Sequence, residues 1–245
     1  MNKAEPFQLE DAFPGNFVPG DGSIDFFARV RTLVDENSRV LDLGAGRAAW
    51  FEGDECQTRR KMRLLKGEVA EIVGADIDEA VFQNKTVDKH VVFTLGEPLP
   101  FEDASFDLIM ADFVLEHVEN PETFAAEIMR LLKPGGHFCA RTPHKLNYVA
   151  IAASLTRNAR HASVLKTVQP ERDEVDVFPT HYRLNTRSAI RNHFPNAIDR
   201  TFLFPTNPSY FFGKRMVYVM LKTLHGIMPD VFSGNLFVFL QKPGV

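Results

Sequence analysis

Asp42 stands two residues ahead of Gly44, and Gly44-Ala45-Gly46-Arg47-Ala48 follows the apolar run Val40 to Leu43. Glycines placed there let the chain turn tightly at a strand end and let a ligand approach the backbone, while the first N–H groups of a following helix stay free to bind it. Gly44-x-Gly46-x-x-Ala49 also satisfies a dinucleotide-binding loop, so the spacing alone is shared by several nucleotide ligands. A carboxylate at Asp42 suits a positively charged amino-acid group better than a pyrophosphate. Asp76 closes the next apolar run, where a carboxylate either accepts both hydroxyls of a ribose or caps the segment after it; Asp78 is the better cap.

Three of the eight histidines occupy places that invite proton transfer. His117 falls one turn beyond a strand end, where it could act as a base or, with Glu116, steady a loop. His144 and His181 lie close in sequence to Tyr148 and Tyr182, in a stretch without regular alternation. From His144 to Pro170 no Asp or Glu occurs, whereas Lys145, Arg157, Arg160 and Lys166 do. That basic stretch is either the solvated edge of a cap helix or a wall for an anionic acceptor, with Tyr148, Arg157, Arg160 and Tyr182 as its lining. No histidine and carboxylate cluster has metal-ligand spacing, and Cys56 and Cys139 form no CxxC pair, so neither a metal nor a disulfide framework is expected.

These residues need a scaffold of alternating strands and helices. Val40 to Leu43, Glu71 to Ala75, Val91 to Thr94, Phe106 to Ala111 and His137 to Arg141 read as five strands. A helix from Ser23, with Ile24, Phe27, Val30 and Val34 on one face, precedes them. A second helix follows the fourth strand: Asn120 caps it, Pro121 opens it, and Phe124, Ile128, Leu131 and Leu132 form its stripe until Lys133-Pro134-Gly135-Gly136 ends it. Thr186 caps another helix, Thr201 to Phe204 reads as a sixth strand, and Leu236 to Leu240 as a seventh. The stretches 143–185 and 205–234 read as insertions on the sheet, the latter with a helix from Lys214 to Leu224. Strands separated by helices imply parallel pairing with right-handed crossovers, hence an α/β, doubly wound sheet with helices on both faces.

At 245 residues one domain with a single main core is expected. Hydrophobic residues at 44% and charged residues at 24% exclude a disordered or fibrous chain, and a net charge of −4 does not draw the whole chain to nucleic acid. No basic stripe with interleaved aromatics occurs, so no nucleic-acid partner is expected. No run approaches a membrane span, which points to a cytoplasmic protein with at most peripheral membrane contact.

Three runs then carry a specific likeness. Leu99-Pro-Phe-Glu-Asp-Ala-Ser-Phe-Asp-Leu-Ile, Val114-Leu-Glu-His-Val-Glu-Asn-Pro and Arg130-Leu-Leu-Lys-Pro-Gly-Gly136, together with Val40 to Gly46 and Gly74 to Asp76, resemble the type 11 family of S-adenosylmethionine-dependent methyltransferases over roughly residues 38–142. The resemblance implies seven strands in the order 3-2-1-4-5-7-6, the seventh antiparallel. It implies S-adenosylmethionine held at Asp42, Gly44, Ala45 and Gly46, its ribose at Asp76 and Ile77, its adenine near Glu97, and the ligand passing Asp112. Residues 1–37 would then be a lead-in and helix, 38–142 the S-adenosylmethionine-binding half and 143–245 the acceptor half. Two features depart from the family: Ala48 stands where a third glycine is common, and the spacing differs, the gap from Gly46 to Asp76 being longer than usual and the Leu95-Gly-Glu-Pro stretch before Leu99 shorter.

The implied reaction carries a methyl group to a small-molecule, lipid or sugar acceptor at oxygen or nitrogen, with a base to take the proton. Two rivals share the glycine loop. One is a catalytically silent S-adenosylmethionine-binding protein; the other is a short-chain dehydrogenase, for which Tyr210-x-x-x-Lys214 is the matching pair.

Overall fold

The computed structural model describes residues 7–148, 150–151, 179–208 and 212–244. Eight strands form one sheet: β1 (Arg39–Leu43), β2 (Glu71–Asp76), β3 (Lys89–Val92), β4 (Phe106–Asp112), β5 (Leu132–Pro143), β6 (Ile198–Asp199), β7 (Phe202–Pro205) and β8 (Gly234–Gln241). Their order is β3-β2-β1-β4-β5-β8-β6, with β7 also paired to β8. The first five run parallel, and β8 runs antiparallel to β5, β6 and β7. The expected order is therefore borne out, except that the sixth strand is two short pieces. Asp199 causes the break by accepting the Thr201 N–H at 2.8 Å in a local turn.

Alternation along the strands divides the core in two. Leu41, Leu43, Ile109, Phe138, Val238 and Leu240 face one side, where they meet Ala125, Ile128 and Leu131 of α4 (Pro121–Leu131) and Ile190 of α5 (Arg187–His193). Val40, Leu108, Met110, Cys139, Phe237 and Phe239 face the other, against Phe26, Phe27 and Val30 of α1 (Gly22–Arg31). The second layer is largely aromatic: Phe204 stacks on Phe237 at 4.6 Å, and Phe26 meets Phe237 edge-on at 5.5 Å.

Capping explains most helix starts. Asn120 accepts the Thr123 N–H and Thr186 the Ala189 N–H, both at 3.2 Å. At α1 the cap is Asp21, whose Oδ1 accepts from Ser23 at 2.9 Å and Ile24 at 3.0 Å. Ser23 is thereby released from the expected capping role, and its hydroxyl meets a buried arginine described below. Two short helices, α2 (Trp50–Gly53) and α3 (Gln57–Arg63), follow the glycine loop, and α6 (Arg215–Ile227) lies between β7 and β8. Among the described residues no helix is long and apolar enough to cross a membrane.

Candidate ligand cleft and active site

The cleft opens at the C-terminal ends of β1, β2 and β4, where parallel strands leave a crevice on either side of a crossover. Its floor is the turn after β1. Gly44 has φ +73°, its N–H donates to the Ala75 carbonyl at 2.8 Å, and a Cβ there would sit 2.4 Å from Val114 Cγ2, so only glycine fits. The Gly46 N–H donates to Asp76 Oδ2 at 2.8 Å, and the Asp78 N–H to Asp76 Oδ1 at 3.0 Å. Asp76 thus ties the loop to β2 while ending beside it, and Asp78 does cap the following turn through the Ala80 N–H at 2.8 Å. Asn84, buried, donates its amide to the Ala45 and Gly46 carbonyls at 3.2 and 3.1 Å and pins the loop from above. Ala48 adopts φ +52°, the left-handed conformation that makes glycine common at this position in the family.

The cleft holds about 370 Å³, within the range of small-ligand sites, and Asp42, Gly44, Trp50, Arg63, Thr86 and Asp112 are among its walls. Charge alternates across it. Asp112 at the end of β4 is directly opposite Arg141 of β5 in the strand register. Arg141 Nη2 donates to Asp112 Oδ2 at 2.9 Å, its Nε reaches Oδ1, and its Nη1 donates to Ser23 Oγ at 2.8 Å. Arg63, the last residue of α3, places Nη2 3.3 Å from Asp112 Oδ2. Its guanidinium lies over the rings of Trp50 at 4.4 Å and Phe27 at 5.4 Å. Burial alone would raise the Asp112 pKa, but Arg141 and Arg63 outweigh it and hold the carboxyl below the usual range.

Polar atoms of Asp42 and Arg63 in this cleft lack partners among the described residues. The Asp42 carboxylate makes no hydrogen bond to the described residues, and burial, with Asp112 adding to it, pushes its pKa up to about 7 despite Arg63. Arg63 Nε is buried without an acceptor, and burial lowers the Arg63 pKa against the pull of Asp112. An acceptor and a donor left unfilled in one cleft complement an ammonium and a carboxylate. The α-amino acid end of S-adenosylmethionine carries both, so the residues present fit that cofactor.

Other candidate residues separate into groups. His117 lies in the single turn after β4 (Leu115–His117), where its Nδ1 is 2.8 Å from the Pro179 carbonyl. The N–H groups of His181 and Tyr182 both donate to the Glu116 carbonyl, at 2.7 and 3.1 Å, which brings these three residues together at the end of β4. Glu116 itself is buried and accepts from Thr142 Oγ1 at 2.8 Å. His144 is buried at the end of β5 with Nδ1 3.0 Å from the Val231 carbonyl, and burial lowers its pKa despite that contact. Tyr148 meets His225 of α6 edge-on at 5.5 Å. Glu97 stands exposed on the turn beyond β3, outside the cleft lining, and Ile77 is half-buried just past Asp76. Arg157, Arg160 and Tyr210 lie outside the described residues. Among the described residues no group of three or more His, Cys, Asp or Glu is placed to hold a metal ion.

Sequence reasoning missed Arg63, Arg141 and Asn84. Arg141 was detectable as a cation ending an apolar strand beside a strand that ends in Asp112. Arg63 carries no local signal, because only folding brings the end of α3 to β4.

A parallel sheet with one antiparallel strand inserted next to β5, and a ligand loop after β1, is the Rossmann-like fold of class I S-adenosylmethionine-dependent methyltransferases rather than that of a short-chain dehydrogenase. Residues 56–140 match the family model described as a methyltransferase domain. The ubiquinone/menaquinone biosynthesis C-methyltransferase UbiE of Yersinia enterocolitica is 37% identical over 112 residues, 42% of this chain and 41% of that protein. The UbiE protein of Yersinia pestis is 36% identical over the same shares. The chain thus spans about two fifths of the length of these curated relatives. Among solved structures, YcgJ of Bacillus subtilis aligns with a TM-score of 0.55 at 16% identity, covering 91% of this chain and 99% of its own. Geranyl diphosphate C-methyltransferase of Streptomyces coelicolor, solved with S-adenosyl-L-homocysteine, aligns at 0.52 and 11%, covering 90% and 75%. At these identities the structures share the fold.

Proposed function

We propose that this chain transfers a methyl group from S-adenosylmethionine to a small-molecule, lipid or sugar acceptor. The observation that carries the reading is one cleft, beside the glycine loop, lined by both Asp42, whose carboxylate has no hydrogen bond to the described residues, and Arg63, whose Nε has no acceptor. When bound, S-adenosylmethionine supplies an electrophilic methyl on a sulfonium. Asp42 binds the ammonium and Arg63 the carboxylate; Asp76 receives the ribose hydroxyls next to the Gly46 N–H it already holds. Trp50 and Phe27 keep the Arg63 fork flat and exclude water from one wall. In this proposal residues 38–142 hold the cofactor and residues 143–245 the acceptor.

His181 and Tyr182, held on the Glu116 carbonyl, and the neighbouring His117 line the acceptor side, and His117 or His181 takes the proton from an oxygen or nitrogen nucleophile. A second reading is favoured by the names of the curated relatives, which are C-methyltransferases: the acceptor atom is carbon. Incubation of the protein with methyl-labelled S-adenosylmethionine and fractionated cell extract tests both. Label is expected in a lipid, saccharide or small-molecule pool, and NMR of the product distinguishes carbon from oxygen or nitrogen. Ligand binding without release of S-adenosylhomocysteine in any fraction would reduce the protein to a silent binder.

Asp42 also makes the cleft costly to keep. Its carboxyl has an ordinary value of 3.8 and a folded value of about 7. Between those values the folded chain retains a proton that the unfolded chain has lost, so stability falls as pH rises through this window and stays reduced above it. Asp42→Asn is expected to raise the stability of the ligand-free protein at pH 8 by on the order of 2 kcal/mol, water in the cleft softening the full effect. The gain is expected to vanish near pH 4, while affinity for S-adenosylhomocysteine drops at pH 8. Urea unfolding at the two pH values, with calorimetric titration, measures both; equal effects at both pH values would remove the assigned charge penalty.

A further inference from the structure

Helix α6 presents an apolar face to solvent and carries no acid. Met216, Val219, Met220, Leu224 and Ile227 recur at three- and four-residue steps on one side; Met216 is 87% and Ile227 78% exposed. The opposite side, with Val217, Tyr218, Leu221 and His225, is half-buried against the domain, where Phe7 meets Tyr218 and Tyr148 meets His225. At about 100° per residue, Arg215 and Lys222 fall at one border of the exposed apolar arc. Phe212, 60% exposed, precedes the helix.

Charge is segregated around it. Residues 200–229 include Arg200, Lys214, Arg215 and Lys222 but not one Asp or Glu, in a chain whose acids outnumber its lysines and arginines by 32 to 28. Among the described residues no carboxylate pairs with Lys214, Arg215 or Lys222; the Lys222 ammonium donates to the Asn207 amide oxygen at 2.7 Å. The nearest acid in sequence is Asp230, beyond the C-terminal end of the helix. A second copy of this chain would set these cations against one another across a symmetric contact, whereas an anionic bilayer satisfies both the apolar face and its cationic border.

We propose that α6 lies in the interface of an anionic phospholipid bilayer, with Met216, Met220 and Ile227 among the acyl chains and Arg215 and Lys222 at the phosphates. The face is built on the inner packing of α6 against Tyr148, so docking sets the end of β5 toward the lipid.

Flotation of the full chain with phosphatidylcholine–phosphatidylglycerol vesicles, and with phosphatidylcholine alone, tests it. The protein is expected to float with the anionic vesicles at low salt and to be released as salt rises. Arg215→Glu with Lys222→Glu is expected to weaken partitioning at least about tenfold per residue. Met220→Glu with Ile227→Glu should abolish it, with unchanged thermal midpoints and S-adenosylhomocysteine affinity reporting an intact fold. Failure of the wild-type chain to float at low salt, either double variant floating like the wild type, or light scattering that shows a dimer broken by Met220→Glu with Ile227→Glu would overturn the proposal.

Discussion

Arg63→Gln is expected to weaken binding of S-adenosylhomocysteine by roughly 100-fold while leaving 5′-methylthioadenosine, which lacks the amino acid end, bound as before. The guanidinium is held flat over Trp50 and Phe27, one nitrogen rests 3.3 Å from Asp112, and Nε has no acceptor. An incoming carboxylate would meet the accessible part of this guanidinium, with strength set by low dielectric and by a fork already oriented. Glutamine keeps polarity and much of the volume but loses the charge and the fork. The fold has reason to survive the change, because Arg141 still neutralises Asp112. Calorimetric titration with the two nucleosides separates the roles: an equal loss for both would mean that Arg63 shapes the cleft without touching a carboxylate.

The second large effect concerns stability. Arg141→Gln is expected to cost about 3 kcal/mol or more, seen as a fall of roughly 6–12 °C in Tm. The Arg141 side chain is 6% exposed, bonds Asp112 through two nitrogens and Ser23 through the third, and lies within 4.9 Å of the Phe113 ring centre. Its removal leaves the largely desolvated Asp112 with only Arg63, and the cost is mainly that of an undercompensated charge. Adding Asp112→Asn to Arg141→Gln is expected to recover most of the loss, since neither charge then remains to be satisfied. If the two losses simply add in thermal unfolding, the pair is not the coupled unit described.

The positions of the strands, the glycine loop and the caps at Asn120 and Thr186 were legible from residue types and spacing because each is local, whereas the strand order came from the resemblance to the methyltransferase family. A tight turn needs glycine at a positive φ, a helix start needs a side-chain acceptor, and a half-buried strand repeats every two residues. Where two local solutions compete, residue order alone chose less well. Asp21 and Ser23 could each cap α1, and Ser23 was drawn away by Arg141, 118 residues distant. The split between β6 and β7 likewise turns on one side-chain contact, Asp199 to Thr201.

The sequence by itself therefore determined the scaffold and the acids at the ends of its strands, Asp42, Asp76 and Asp112. Tertiary structure alone decided which cations meet them. Arg141 faces Asp112 because β5 pairs with β4 in that register, and Arg63 arrives from a helix 49 positions before the carboxylate it touches. It also turned the apolar side of α6 outward, although apolar side chains at helical spacing are more often core. Charge compensation and burial depend on distance in space and on what surrounds a group, and neither is a function of spacing along the chain.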